Sequence, residues 1–189
     1  MRAECLQAGP MSWHRHAAEL AASLVYPQSR WRDAVTETPR HLLVPHWFSW
    51  DYDEGNWELN DGPADEPAWL AAAYSGQTLV TKVGAIHADD AETGRRYQGR
   101  PASSSTGPGL VIDMYRHARI FDEADVLDVG TGSGYGCALL ARRLGAGHVT
   151  SIDVDPHLIS SAAASRTCSR RARSSAVRPP PSGYLMPPA

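Results

Sequence analysis

The sequence predicts an α/β fold, because three features of its C-terminal part form a strand–turn–helix–strand unit. Val126–Val129 is a short apolar run typical of a strand, and residues 148–152 form a second one. Tyr135–Leu144 lies between them, has apolar residues at helical spacing and ends before Gly145, the usual residue just past a helix. We expect the two strands to be parallel and joined by a right-handed crossover.

The N-terminal part is predicted to be helical and rich in tryptophan. Ser12 is a candidate cap for a helix that reaches Leu24, and a second helix is predicted over residues 30–37, before Pro39. All six tryptophans occur in the first 69 residues, so this region has large apolar groups of its own to bury. Residues 51–66 carry seven carboxylates. They predict a solvated loop, or alternatively a surface that steers a basic peptide.

The middle of the chain links these two parts. Residues 78–83 are rich in β-branched side chains and predict a strand, whereas residues 87–107 are polar, contain Gly94 and Gly99, and predict a loop. Residues 108–118 predict a helix. Asp155 is a candidate cap for a last helix that has Pro156 at its first position.

The composition of the 189 residues excludes several classes of protein. Hydrophobic residues make up 42% and charged residues 21%, and no apolar run approaches the roughly 18 residues of a membrane span. Residues 1–165 hold 13 basic and 21 acidic residues, a net charge of −8 that does not suggest nucleic-acid binding. The three cysteines form no CxxC pair, so we expect no disulfide framework and a cytoplasmic protein. The eight histidines lack structural zinc spacing, so we expect no metal site.

Residues 166–189 differ in composition from the rest of the chain. They hold five arginines, five prolines, four serines and no acidic residue. This composition is typical of a disordered basic tail. The alternative that we favour from the sequence is a frameshift or truncation.

The most specific feature of the sequence is the glycine loop, residues 128–136, with the sequence DVGTGSGYG. A dinucleotide fingerprint GxGxxG would need glycine at position 135 or 137, where Tyr135 and Cys137 stand. Asp128 precedes the first glycine, and a carboxylate there disfavours a pyrophosphate and suits an ammonium or sulfonium group. A second acid, Asp153, ends the next strand, about where a ribose-binding carboxylate belongs.

This string resembles motif I of the S-adenosylmethionine-dependent methyltransferases. The resemblance implies a Rossmann-like fold in which the glycine turn holds the methionine part of S-adenosylmethionine and Asp153 binds the ribose. The cofactor-binding residues that it implies are Asp128, Gly130, Thr131, Gly132, Ser133, Gly134, Tyr135 and Asp153.

Three upstream segments narrow the resemblance. Residues 39–45 (PRHLLVP) resemble a segment of the protein-L-isoaspartate O-methyltransferases, and residues 78–84 and 99–104 resemble a subgroup that accompanies ATP-grasp ligases and modifies ribosomal peptides. The resemblance implies methylation of a carboxylate in a protein or peptide, with an ATP-grasp peptide ligase as a partner. The hydroxyls that it implies for binding this carboxylate are those of Ser104, Ser105 and Thr106.

The family resemblance also divides the chain. We expect residues 1–120 to form the N-terminal and substrate-side region and residues 121–165 to begin the cofactor-binding domain. Its sheet would be truncated after the second strand and its helix, and this chain alone would be unstable or inactive.

The predicted reaction needs few catalytic side chains. A carboxylate with a pKa near 4 is ionised at neutral pH and needs no general base to attack a methyl group. Two alternatives stay open: a non-catalytic protein that binds peptides through its tryptophan-rich part, and a dinucleotide-dependent oxidoreductase. Affinity for S-adenosylhomocysteine, NAD and peptide separates the three.

Overall fold

The computed structural model describes residues 12–164 of the chain. This part contains seven α-helices: α1 (Ser12–Leu24), α2 (Arg32–Glu37), α3 (Arg40–Leu43), α4 (Glu66–Ala73), α5 (Pro108–His117), α6 (Tyr135–Leu144) and α7 (Pro156–Ala164). The same part contains eight strands: β1 (His46–Asp51), β2 (Asn56–Asp61), β3 (Leu79–Val83), β4 (Ile86–His87), β5 (Arg96–Tyr97), β6 (Pro101–Ser105), β7 (Val126–Val129) and β8 (Val149–Ile152). The predictions for residues 1–11 and 165–189, including the basic tail, lie outside the described residues.

The predicted strand–helix–strand unit is confirmed. β7 and β8 pair in parallel, with Val126 opposite Val149 and Val129 opposite Ile152, and α6 connects them. Within the described residues this sheet has two strands. Leu127 and Val129 lie 60% and 73% exposed on it, although parallel sheets are usually covered on both faces.

The other sheet was only partly predicted. Its strands β1 to β6 are joined in antiparallel pairs in the order β4-β3-β1-β2-β5, and β6 pairs with β3. The loop prediction for residues 51–66 is wrong because β2 lies there. Leu59 of β2 is buried in a small apolar cluster with Phe48 and Val83. The loop prediction for residues 87–107 is also wrong, since β6 gains backbone partners along β3 despite its serine-rich sequence. The N-terminal region therefore contains strands as well as the predicted helices.

One continuous apolar core joins the N-terminal helices to α6. Trp31 stacks on Tyr115 of α5 with ring centres 5.0 Å apart, and the guanidinium of Arg143 on α6 lies 4.7 Å from the centre of a Trp31 ring. Burial of this apolar surface supplies the main stabilising free energy of the arrangement. Tyr135, the first residue of α6, is buried in the same core, so the glycine loop before it is also held against the N-terminal part.

Among the described residues, no helix has the length and apolar character that crossing a membrane requires.

Candidate active site

The glycine loop lies at the carboxyl ends of β7 and β8. The backbone N–H groups of Gly130 and Thr131 both donate to the carbonyl oxygen of Ile152, at 2.8 and 3.3 Å, which holds the start of the loop against β8. Asp153 then accepts from two backbone N–H groups, at 3.1 Å from Gly132 and 3.0 Å from Asp155. Both acids of the predicted site are therefore next to the loop, one at the end of each strand.

Asp128 is held by a chain of hydroxyl groups. Ser151 lies opposite Asp128 in the parallel register and donates its hydroxyl to Asp128 Oδ2 at 2.7 Å. Since the proton of Ser151 is used there, Thr131 Oγ1 donates to Ser151 Oγ, also at 2.7 Å. Burial raises the pKa of Asp128; the Ser151 hydrogen bond opposes this rise and the charge of Asp153 adds to it. The sequence reasoning missed Ser151. Pairing the first residues of the two parallel strands, Val126 and Val149, would have placed Ser151 beside Asp128.

A cavity of about 100 Å³ brings most of the predicted residues together. Its lining contains six of the eight predicted cofactor-binding residues, namely Asp128, Gly130, Thr131, Gly132, Ser133 and Tyr135. Asp153 does not line it, and neither does Gly134. Gly134 caps α6 at a φ of 82°, and a Cβ there would lie 2.9 Å from the Cβ of Ala162, so this glycine is also needed for the packing of α7.

The three predicted substrate-binding hydroxyl residues separate into two groups. Ser104 and Thr106 line the same cavity as Asp128. Ser105 does not line it and is only 1% exposed, as expected for the middle one of three residues in an extended segment. The carbonyl oxygen of Ser104 lies 3.0 Å from the position that a Cβ on Gly132 would take, so β6 and the glycine loop approach each other closely here.

Tyr135 carries a buried hydroxyl group without a protein partner. The residue is 2% exposed, and its hydroxyl makes no hydrogen bond within the described part of the chain. Burial raises the pKa of Tyr135 to about 12. A buried hydroxyl without a partner costs about 1–3 kcal/mol, and the residue that carries it is part of the cavity lining.

Arg40 on α3 holds the segment that contains Ser105 and Thr106, and the sequence reasoning gave it no role. It is fully buried and donates from Nη1 to the carbonyl of Ala73 at 2.6 Å. Its Nη2 donates to three more carbonyls, those of Gln77 at 2.8 Å, Ser105 at 3.1 Å and Thr106 at 3.4 Å. Its guanidinium also lies 5.3 Å from the ring centre of Tyr135. Arg40 thus connects the segment after β6 to the start of α6.

The residues present fit S-adenosylmethionine better than a dinucleotide. Asp128 and Asp153 place two carboxylates around the loop, which favours a cationic ligand and repels a pyrophosphate. The free hydroxyl of Tyr135 adds a donor, and Gly130 has no atom within 4 Å of the position of a Cβ, so a ligand can lie against its backbone.

The fold and this loop define a Rossmann-like α/β protein. Residues 97–177 match the family model of protein-L-isoaspartate(D-aspartate) O-methyltransferase, so this segment is similar in sequence to that family. A solved structure titled protein-L-isoaspartate O-methyltransferase is similar to this chain in fold, with a TM-score of 0.53 at 18% sequence identity. The match covers 86% of this chain and 41% of that chain, so this chain spans less than half the length of the solved structure. No curated protein matches the sequence.

Proposed function

We propose that this chain carries the site for methyl transfer from S-adenosylmethionine to a carboxylate of a protein or peptide. The observation that supports this most is that Asp128 and the glycine loop line the same cavity as Ser104 and Thr106. The family match over residues 97–177 includes all of these residues.

The residues around the loop have distinct roles in holding the cofactor. S-adenosylmethionine supplies an activated methyl group on a sulfonium sulfur. Asp128 attracts the ammonium group, Asp153 accepts hydrogen bonds from the ribose hydroxyls, and the hydroxyl of Tyr135 donates to the cofactor. Gly132 keeps the backbone of the loop close to β6.

The substrate side needs positioning more than acid–base chemistry. Ser104 and Thr106 donate hydrogen bonds to the substrate carboxylate, which is already ionised at neutral pH and needs no general base. Arg40 holds the carbonyls of Ser105 and Thr106 and so fixes the direction of this segment. Placement of two reactants in a site that excludes water can supply most of the acceleration.

The resemblance of residues 78–84 and 99–104 supports a finer proposal. The substrate is a ribosomal peptide, the partner is an ATP-grasp peptide ligase, and the reaction takes place in the cytoplasm. Mass spectrometry of peptides from cells that express both proteins, or either one alone, tests this. A mass increase of one methyl group that requires this chain supports the proposal.

Calorimetry on the full chain tests the cofactor. We expect S-adenosylhomocysteine to bind and NAD not to bind. Preference for NAD would favour an oxidoreductase, and peptide binding without either cofactor would favour a non-catalytic binding protein.

Transfer of a radiolabelled methyl group tests the substrate side. We expect Thr106→Val to raise the KM for an isoaspartyl peptide about ten-fold, since one lost hydrogen bond to a charged group is worth about 1.5–3 kcal/mol. Thr36→Val on α2 is the matched control, because Thr36 does not line the cavity. Equal KM values for the two variants would contradict the role of Thr106.

A further inference from the structure

A second and larger cavity adjoins the candidate active site. Its volume is about 300 Å³, and it lies between the segment that connects α3 to β1 and the first turns of α7. Gly132 and Ser133 line both cavities, so the glycine loop separates the two. A ligand that extends out of the first cavity past Ser133 therefore meets the second.

Part of the wall of this second cavity is aliphatic. Leu43, Val44 and Leu158 line it and are at most 8% exposed. Leu42 also lines it but is 53% exposed, so an apolar side chain stands open to solvent here. A volume of about 300 Å³ equals that of about ten water molecules in the liquid, which is enough for one or two side chains and too small for a folded partner.

One carboxylate lines the cavity, and two more lie close to histidines that line it. Asp89 lines it and accepts from His46 Nδ1 at 2.9 Å, and His46 Nε2 lies 3.7 Å from a carboxylate oxygen of Asp61. His157 Nδ1 lies 3.9 Å from Asp90. Within residues 12–164 no lysine or arginine forms an ion pair with these three aspartates.

Asp155 differs from these three aspartates because it pairs with a lysine, Lys82, at 2.6 Å. Its carboxylate also lies 3.0 Å from His87 Nε2. The rings of His87 and His157 stack with their centres 3.9 Å apart. The described residues contain no group of three or more side chains suited to a metal ion. Asp89, which lines the cavity and forms no ion pair with a lysine or arginine within residues 12–164, is suited to an organic cation.

We infer that this second cavity is a subsite for the substrate peptide, which takes an aliphatic side chain next to a lysine or arginine. The inference rests on the proposed function. Leu43 and Leu158 contact the aliphatic side chain, and Asp89 pairs with the basic one. An extended peptide advances at most about 3.6 Å per residue, so a peptide with its carboxylate at Ser104 or Thr106 reaches this cavity within a few residues.

Binding of fluorescein-labelled isoaspartyl peptides to the full chain tests the subsite. In a series of nonapeptides, a Leu-Lys pair occupies each position on either side of the isoaspartate in turn, and a Ser-Glu pair replaces it in the reference peptides. Fluorescence anisotropy is measured with S-adenosylhomocysteine present. We expect one position of the Leu-Lys pair to bind about ten-fold to a hundred-fold more tightly than its reference, because burial of one leucine side chain gives a gain of this size.

Two variants separate the two parts of the preference. Ser161→Phe fills the cavity from the exposed side of α7 and should remove the preference for leucine, whereas Ser160→Phe, one residue earlier and outside the lining, should leave it unchanged. Asp89→Asn should lower the preference for lysine and its dependence on salt, while the preference for leucine remains. Melting temperatures of the two phenylalanine variants show whether both fold alike, and Asp89→Asn tests the subsite without added bulk.

The outcomes distinguish the subsite from the proposed function. Equal binding of all peptides, or an unchanged preference in both Ser161→Phe and Asp89→Asn, would overturn the subsite even when methyl transfer is observed. Loss of the leucine preference in Ser161→Phe together with a lower lysine preference in Asp89→Asn, in a protein that transfers no methyl group, would support the peptide subsite and reject the proposed reaction.

Discussion

Replacing Arg40 with methionine tests how the N-terminal part holds the candidate active site. Arg40 is fully buried, and within the described residues it forms no ion pair with a carboxylate. Its four hydrogen bonds all go to backbone carbonyls, and Nε makes none within residues 12–164. Methionine has a similar length and removes the charge and all four hydrogen bonds.

The expected loss of stability follows from two opposing contributions. The bonds to Ala73 and Ser105 are buried, and an orphaned buried carbonyl costs about 1–3 kcal/mol; the partly buried bonds to Gln77 and Thr106 contribute about 0.5–1.5 kcal/mol each. Together these losses amount to about 3–9 kcal/mol. Burial lowers the pKa of Arg40 to about 10 from 12.5, so removing the charge returns about 3 kcal/mol. We therefore expect a net loss centred on about 3 kcal/mol.

Urea unfolding of the full chain, followed by tryptophan fluorescence, measures this change. Arg15→Met on α1 is the control, because the Arg15 side chain is 82% exposed and pairs with Glu19 at the surface; we expect no measurable change there. Arg40→Lys keeps a charge but replaces the planar fork by one ammonium group, so it should lie between wild type and Arg40→Met. An Arg40→Met variant as stable as wild type would refute the reasoning, because the carbonyl bonds would then not exceed the cost of burying the charge.

Three further predictions concern polar groups near the loop. Asp128→Asn should leave the free energy of unfolding at pH 7 unchanged or higher, because burial already raises the pKa of this carboxyl, yet calorimetry should show S-adenosylhomocysteine binding at least ten-fold more weakly. Tyr135→Phe should likewise not lower the melting temperature, since the lost hydroxyl has no partner within residues 12–164. The same variant should bind S-adenosylhomocysteine more weakly. The hydrogen bond from Lys82 lowers the pKa of Asp155. The stabilisation of the folded state by this pair is therefore present above the ordinary pKa of about 3.8, and it is lost as the pH falls through the lower pKa of the folded state. Acid titration followed by circular dichroism should therefore show Lys82→Met unfolding at a higher pH than wild type.

The part of the fold that follows from local sequence could be predicted. Val126–Val129 and Tyr135–Leu144 carry periodic apolar residues, and Gly145 ends the helix with a φ of 89° that few other residues adopt. These signals act over a few neighbouring residues, so they are present in the sequence itself. The same holds for the clustering of Asp128 with the glycines around one turn.

The part that depends on pairing between distant segments could not be predicted in the same way. β6 is rich in serine and is a strand because β3, about 20 residues earlier, provides partners such as Val80 for Ser104. That Ser104 lines the cavity and Ser105 does not depends on this register, which no local pattern reveals. His46 and His157 meet around Asp89 for the same reason, although no spacing in the sequence connects them.

Three costly polar groups of the described residues gather at one place, and their proximity is itself an argument for a site. Asp128 has a pKa raised by burial, Tyr135 has an orphaned hydroxyl, and Arg40 is a buried cation held by carbonyls alone. Each arrangement would be replaced by an apolar one if stability alone were at stake, since burial of unpaired polar groups lowers the free energy of unfolding. All three lie within the walls of one small cavity or against them. A ligand with a cationic end and hydrogen-bonding groups would offset these costs, and it would therefore also stabilise the fold when it binds.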